Sequence, residues 1–162
     1  MKKVLLSDSG PETSEAIYSF WRWNNKEDLN LDKIQDILEY VIGLGINAFD
    51  VSSIYGNGKI QELLGEALIN LSVKREDLVL FSKISNKIPQ SDGIYLYEPL
   101  TEKSVIKQVD NLLLSLKTEY IDVLLIEDFD PLMNVDVVAS VLTSLRLRGK
   151  IKHVGVSNFN VQ

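Results

Sequence analysis

Three side chains in the first half of the chain are suited to moving a proton: Asp50, Tyr55 and Lys83. Asp50 lies in Asn47-Ala-Phe-Asp-Val-Ser-Ser-Ile-Tyr-Gly56, where Ala48, Phe49 and Val51 form an apolar run that reads as a short buried strand. A carboxylate inside such a strand is costly unless it is paired. The partner expected is Lys83, near the end of a second apolar run, Leu78-Val-Leu-Phe-Ser-Lys-Ile84. Tyr55 sits on the turn after the first strand, and Gly56, Asn57 and Gly58 then open a helix. A phenol titrates near about 10, so it donates poorly at neutral pH unless its anion is stabilised, and an ammonium beside it does that. On residue types and spacing alone, a loop aromatic, a strand-end aspartate and a lysine reaching to solvent explain the pattern as well as a site does.

The elements that would position these residues follow in order. Val4 to Leu6 and the Ser-Asp-Ser-Gly-Pro after it predict a peripheral strand and a turn. Ala16 to Trp23 predicts the first strand of the main sheet, and Asn24 to Asn30 a polar loop. Asn30 can cap a helix with Leu31, Ile34, Ile37, Leu38, Val41 and Ile42 on one stripe, closed by Gly43 and Gly45. A second helix carries Ile60, Leu63, Leu64, Ala67 and Leu68. The stretch from Asn86 to Leu100, with Pro89, Gly93 and Pro99, predicts a long loop, and such loops are often functional. Thr101 and Asn134 are expected caps of two more helices, and Tyr120–Ile126 and Ile151–Val156 of two more strands. Lys74-Arg75 and Arg146 to Lys150 read as solvated. Strand–helix repeats with near-continuously apolar strands predict an α/β fold whose parallel sheet is covered by helices.

The 162 residues suffice for one domain, and a hydrophobic content of 45% with 25% charged residues is ordinary for a soluble globular protein. A net charge of −6 lacks the basic face a nucleic-acid binder needs. There is no cysteine for a disulfide or a thiolate metal site. No apolar run approaches the ~18 residues of a membrane span. The expected location is the cytoplasm, with no nucleic-acid or membrane partner.

The chain resembles the aldo-keto reductases. The resemblance rests on Gly45-Ile-Asn-Ala-Phe-Asp50, Ile54-Tyr-Gly56, Glu62-Leu-Leu-Gly-Glu-Ala-Leu68, Phe81-Ser-Lys83, Tyr120-Ile-Asp-Val-Leu-Leu-Ile126 and Gly149-Lys-Ile-Lys-His-Val-Gly-Val-Ser-Asn-Phe159, in that order. The end of the first strand, Trp21-Arg22-Trp23, and Asp130-Pro-Leu-Met133 look most like a bacterial branch of predicted oxidoreductases in the family. The resemblance implies NAD(P)H-dependent hydride transfer to a small-molecule carbonyl or activated double bond on a (β/α)8 barrel, with NADP the expected cofactor and NAD the alternative. It implies that Tyr55 is the proton donor, that Lys83 stabilises its anion, that Asp50 holds Lys83, and that Ser157 and Asn158 bind the nicotinamide carboxamide. Trp21 and Trp23 fit a pocket mouth or, equally, core packing or a hydrophobic interface, Trp21 is counted with Ser157 and Asn158 among the expected cofactor-binding residues, and His153 is expected to be a strand residue without a catalytic role.

Two features depart from the family pattern. The family usually has His just after the fourth strand, where this chain has Glu127. A charged Glu127 would raise the tyrosine pKa and slow reduction. Kept neutral in a dry pocket it could donate to a substrate oxygen, and steroid double-bond reductases of the family carry Glu there. A third reading is drift after loss of redox chemistry. Asp128 is expected to keep the surroundings wet, which ranks altered or impaired carbonyl reduction first. Second, barrels of this type rarely fall below about 200 residues, so residues 1–162 are expected to form the N-terminal five strands and four helices of an incomplete barrel, inactive alone. The alternative is a non-catalytic truncated barrel acting as a binding or assembly module, whose open sheet edges would recruit a second copy or a strand-completing partner.

Overall fold

Among the described residues, three of the four α-helices are started by a side chain accepting from the backbone N–H three residues on, which satisfies one of the donors a helix N-terminus leaves free. The computed structural model describes residues 1–23, 29–90 and 94–160. The Asn30 side chain accepts from Lys33 N at the head of α1 (Leu31–Gly43). Thr101 and Ser104 form a reciprocal capping box at α3 (Glu102–Ser115), and Asn134 accepts from Val137 N at α4 (Val135–Leu147). The exception is α2 (Lys59–Asn70), entered through left-handed backbone at Gly56, Asn57 and Gly58. Glycine relieves the Cβ penalty at two of these positions, and the sharp turn leaves Tyr55 at the mouth of the sheet. Within α2, Gly65 allows close approach to α3, because a Cβ there would lie 2.1 Å from Ser115 O.

The strands are β1 (Lys3–Leu5), β2 (Glu12–Ser14), β3 (Ile17–Ser19), β4 (Ala48–Asp50), β5 (Val79–Ser85), β6 (Lys87–Pro89), β7 (Tyr95–Tyr97), β8 (Ile121–Glu127) and β9 (Ile151–Ser157). Strands β3, β4, β5, β8 and β9 form one parallel sheet in sequence order. Its two faces alternate along each strand. One face packs Ala48, Val79, Phe81 and Val123 together. The other joins Phe49, Leu80, Ile84 and Leu124 to Leu38, Leu64, Val109 and Val138 of the four helices. β1 and β2 form an antiparallel hairpin at the opposite end from the site, tied to the start of β4 where Asn47 Oδ1 accepts from Ser14 N at 2.6 Å.

Three sequence expectations change. The first strand is not Ala16–Trp23: pairing stops at Ser19, and Phe20–Trp23 is a 3-10 turn that drives the Phe20 ring wholly into the core. The expected loop from Asn86 to Leu100 contains an antiparallel hairpin, β6 with β7, whose Pro89 needs no donor at the strand end. Gly93 of that stretch lies outside the described residues, as do residues 24–28 of the loop expected over Asn24 to Asn30. Arg75 is not solvated. Its guanidinium donates to Leu78 O, Tyr120 O, Thr118 Oγ1 and the Asp122 carboxylate at 2.7–3.0 Å, fastening the start of β5 to the start of β8.

Candidate active site

The register of the sheet sets the level of each polar side chain. Ser19, Asp50, Phe81, Val123 and His153 lie on one level. Two residues further up are Lys83, Leu125 and Gly155, and two further still are Ser85, Glu127 and Ser157. The polar groups therefore cluster at the C-terminal ends of the strands, where α/β sheets carry their ligand sites. They line a cleft of about 590 Å³.

Asp50, Tyr55 and Lys83 are brought together. Lys83 Nζ donates to the Tyr55 hydroxyl at 2.8 Å and to the Asp50 carboxylate. The Tyr55 hydroxyl donates to Asp50 Oδ2 at 3.1 Å. Burial alone would lower the Lys83 pKa, but the bonds to Asp50 and Tyr55 together outweigh it and raise it, so Lys83 is an ammonium at neutral pH. Burial also raises the Tyr55 pKa, and the opposing Lys83 bond does not cancel it, helped as burial is by the Asp50 charge. Tyr55 is thus a neutral phenol held against a cation, which has a proton to give and a neighbour to stabilise what remains.

Glu127 faces the same cleft and is only 7% exposed. Desolvation pushes its pKa up, the Lys83 charge opposes this, and Asp128 and Asp50 push it further up. Its Oε2 is buried with no hydrogen-bond partner among the described residues. Asp128, expected to keep this region wet, lines the same cleft as Glu127 with its side chain 27% exposed. Asp128 bonds Lys87 at 2.5 Å and Asn158 Nδ2 at 3.1 Å, and the Lys87 bond lowers its pKa.

Ser157 and Asn158 line the cleft from the end of β9, Asn158 in left-handed backbone. Trp21 lines it from the β3 side, while Trp23 turns inward and donates to the Tyr18 hydroxyl at 3.1 Å. His153 is half-buried on β9, two levels below Ser157, outside the cleft lining.

Among the described residues, six that line the cleft stand outside the expected site: Ser19, Ile54, Ser85, Lys87, Tyr95 and Asp128. Ser19 Oγ donates to Asp50 Oδ2 at 2.8 Å, a contact hidden because Ser19 read as mid-strand. Lys87 and Tyr95 come from the unforeseen hairpin, and Ser85 extends β5 beyond its expected end. The alternation of β5 past Lys83 was the one signal that could have found Ser85.

Residues 18–162 match the model of the Aldo/keto reductase family. The oxidoreductase YdhF of Escherichia coli is 30% identical over 163 residues, covering 98% of this chain and 53% of that protein. The uncharacterized oxidoreductase YcsN of Bacillus subtilis is 34% identical over 164 residues, with coverage of 98% and 53%. The solved holo form of the aldo-keto reductase AKR11C1 from Bacillus halodurans superposes with a TM-score of 0.82 at 25% identity, covering 97% of this chain and 50% of that one. The chain spans about half the length of the curated relatives it matches.

Proposed function

Because this chain belongs to the aldo/keto reductase family, we propose that it carries the acid–base group of a nicotinamide-dependent oxidoreductase that reduces a small-molecule carbonyl. The observation that carries this reading is the 2.8 Å contact from Lys83 to the Tyr55 hydroxyl at an open cleft. A reduced nicotinamide, when bound, supplies hydride to the carbonyl carbon. Tyr55 supplies the proton to the carbonyl oxygen, Lys83 stabilises the phenolate left behind, and Asp50 keeps Lys83 in position. NADPH is the cofactor proposed, with NADH the alternative, and the cytoplasm the location.

The residues present fit the carboxamide of such a cofactor. Asn158 uses its amide N–H on Asp128, which leaves its Oδ1 as an acceptor. Ser157 Oγ has no partner among the described residues and can donate. A primary amide offers the matching donor and acceptor.

The test is aldehyde-dependent loss of NADPH absorbance by the protein as its gene encodes it, compared with its Tyr55→Phe variant. General acid catalysis contributes about 10²–10⁴-fold, so turnover falls by that order while NADPH binding, followed by fluorescence, is kept. A Tyr55→Phe variant with wild-type turnover overturns the assignment.

The orphaned, buried Oε2 of Glu127 favours a second reading. A neutral carboxylic acid there donates to the oxygen of an α,β-unsaturated ketone, and hydride goes to the double bond. Glu127→His separates the two: it raises aldehyde reduction if Glu127 impairs the carbonyl reaction, and lowers enone reduction if Glu127 is the working acid.

A further inference from the structure

The β6–β7 hairpin is fastened at two points. Asp130, 1% exposed, accepts from the Tyr97 hydroxyl at 2.7 Å, Leu100 N at 2.9 Å and Leu132 N at 3.0 Å. One buried carboxylate therefore joins the end of the hairpin to the turn after β8. Nearer the cleft, Lys87 on β6 bonds Asp128 on that same turn. Tyr95, Leu96 and Tyr97 of β7 remain about half exposed, at 46%, 58% and 47%, so core packing accounts for them only in part. Yet Tyr95 of this strand lines the cleft that holds Tyr55 and Glu127.

We propose that this hairpin is the selectivity wall of the site, with Tyr95 contacting the non-reacting part of the substrate and Asp130 as the positioning residue that holds it there. The substrate class is an uncharged aryl aldehyde or ketone. Two exposed rings, Trp21 and Tyr95, line one cleft, and such rings favour offset or edge contacts with a planar π system. Both cations of the lining are already paired, Lys83 with Asp50 and Lys87 with Asp128, so an anionic substrate meets no free partner among the described lining residues. The assignment rests on the reading that the cleft binds a carbonyl compound.

Binding and turnover are measured separately, in the protein as its gene encodes it. The binding probe is 4-nitrobenzamide, an unreactive carbonyl mimic, titrated calorimetrically with oxidised cofactor present. Tyr95→Ala weakens binding about tenfold, or about 1.4 kcal/mol, and Tyr95→Phe restores it to within about twofold. In turnover, the ratio of kcat/KM for 4-nitrobenzaldehyde to that for propanal falls about tenfold in Tyr95→Ala. Tyr97→Phe, which removes the hairpin's side-chain bond to Asp130, weakens binding about threefold alone and adds nothing in the Tyr95→Ala background, as coupled residues do. Unchanged binding in Tyr95→Ala, or no binding by the wild type, overturns the wall. Additive effects of Tyr95→Ala and Tyr97→Phe overturn the positioning role. A wild type without turnover, whose benzamide affinity still falls in Tyr95→Ala, sinks the hydride-transfer reading and leaves the wall standing.

Discussion

Tyr55 and Ser19 share one oxygen: both hydroxyls donate to Asp50 Oδ2, at 3.1 and 2.8 Å. In this arrangement the phenolic hydrogen points at Asp50 and not into the cleft. To protonate a substrate it must turn away, and a part-buried carboxylate oxygen then loses one of its two hydroxyl donors. Ser19 keeps that oxygen satisfied while Tyr55 turns.

Ser19→Ala should therefore lower kcat for aldehyde reduction while leaving KM nearly unchanged. One hydrogen bond to a charged group is worth about 1.5–3 kcal/mol, and a part of that in the barrier gives about a tenfold loss. Ser19→Thr, which keeps the hydroxyl, should recover most of it. A Ser19→Ala enzyme with unchanged kcat would show that Tyr55 needs no such support.

The Lys83–Asp50 pair should be a large single item of stability. Their side chains are 7% and 17% exposed, and removing one partner of a buried pair costs about 3–5 kcal/mol. Lys83→Met should lose about that much in urea unfolding, and Lys83→Met with Asp50→Asn should lose less than the sum. The folded pKa of Lys83 is raised. Its stabilisation is thus complete below the unfolded value of about 10.4 and disappears as pH rises through the folded one. The gap between wild type and Lys83→Met should be flat near neutral pH and close only in strong alkali.

Glu127 should show the same sign in a lower pH range. Its folded pKa is raised, first by burial, so its contribution is complete below the unfolded value of about 4.3 and is lost as pH rises through the folded one. Glu127→Gln, which cannot ionise, should gain stability on the wild type as pH rises from about 4 towards 8. A constant difference across that range would mean that Glu127 ionises as easily in the fold as out of it.

Arg75 should matter for stability and not for catalysis. It lies at the opposite end of the sheet from the cleft, over the Tyr120 ring, and bonds four acceptors. Arg75→Ala leaves Asp122 with Lys152, 3.1 Å away, as its remaining cation. The loss expected is about 2 kcal/mol in the denaturant midpoint, with KM and kcat unmoved below the transition.

The caps at Asn30, Thr101 and Asn134 were legible because a cap and its target lie three residues apart, and local geometry decides them. Strands β4, β5, β8 and β9 were legible because a parallel sheet covered by helices needs unbroken apolar runs. The pairing of Asp50 with Lys83 was legible for an energetic reason, since a charge inside each apolar strand demanded a counter-charge. The part Tyr55 would play came from the family motifs and not from its spacing. Other features depended on partners remote in sequence. Ser19 meets Asp50 across 31 residues, Lys87 meets Asp128 across 41 and Arg75 meets Asp122 across 47. Each is a polar residue in an unremarkable context, which reads as solvated until the register of β3, β5 and β8 brings its partner beside it. The same register buried Glu127 while its neighbour Asp128 turned to Lys87. One residue along the chain, two carboxylates line one cleft, Asp128 bonded by Lys87 and Asn158 and Glu127 Oε2 with no partner among the described residues, and only the tertiary structure could decide which was which.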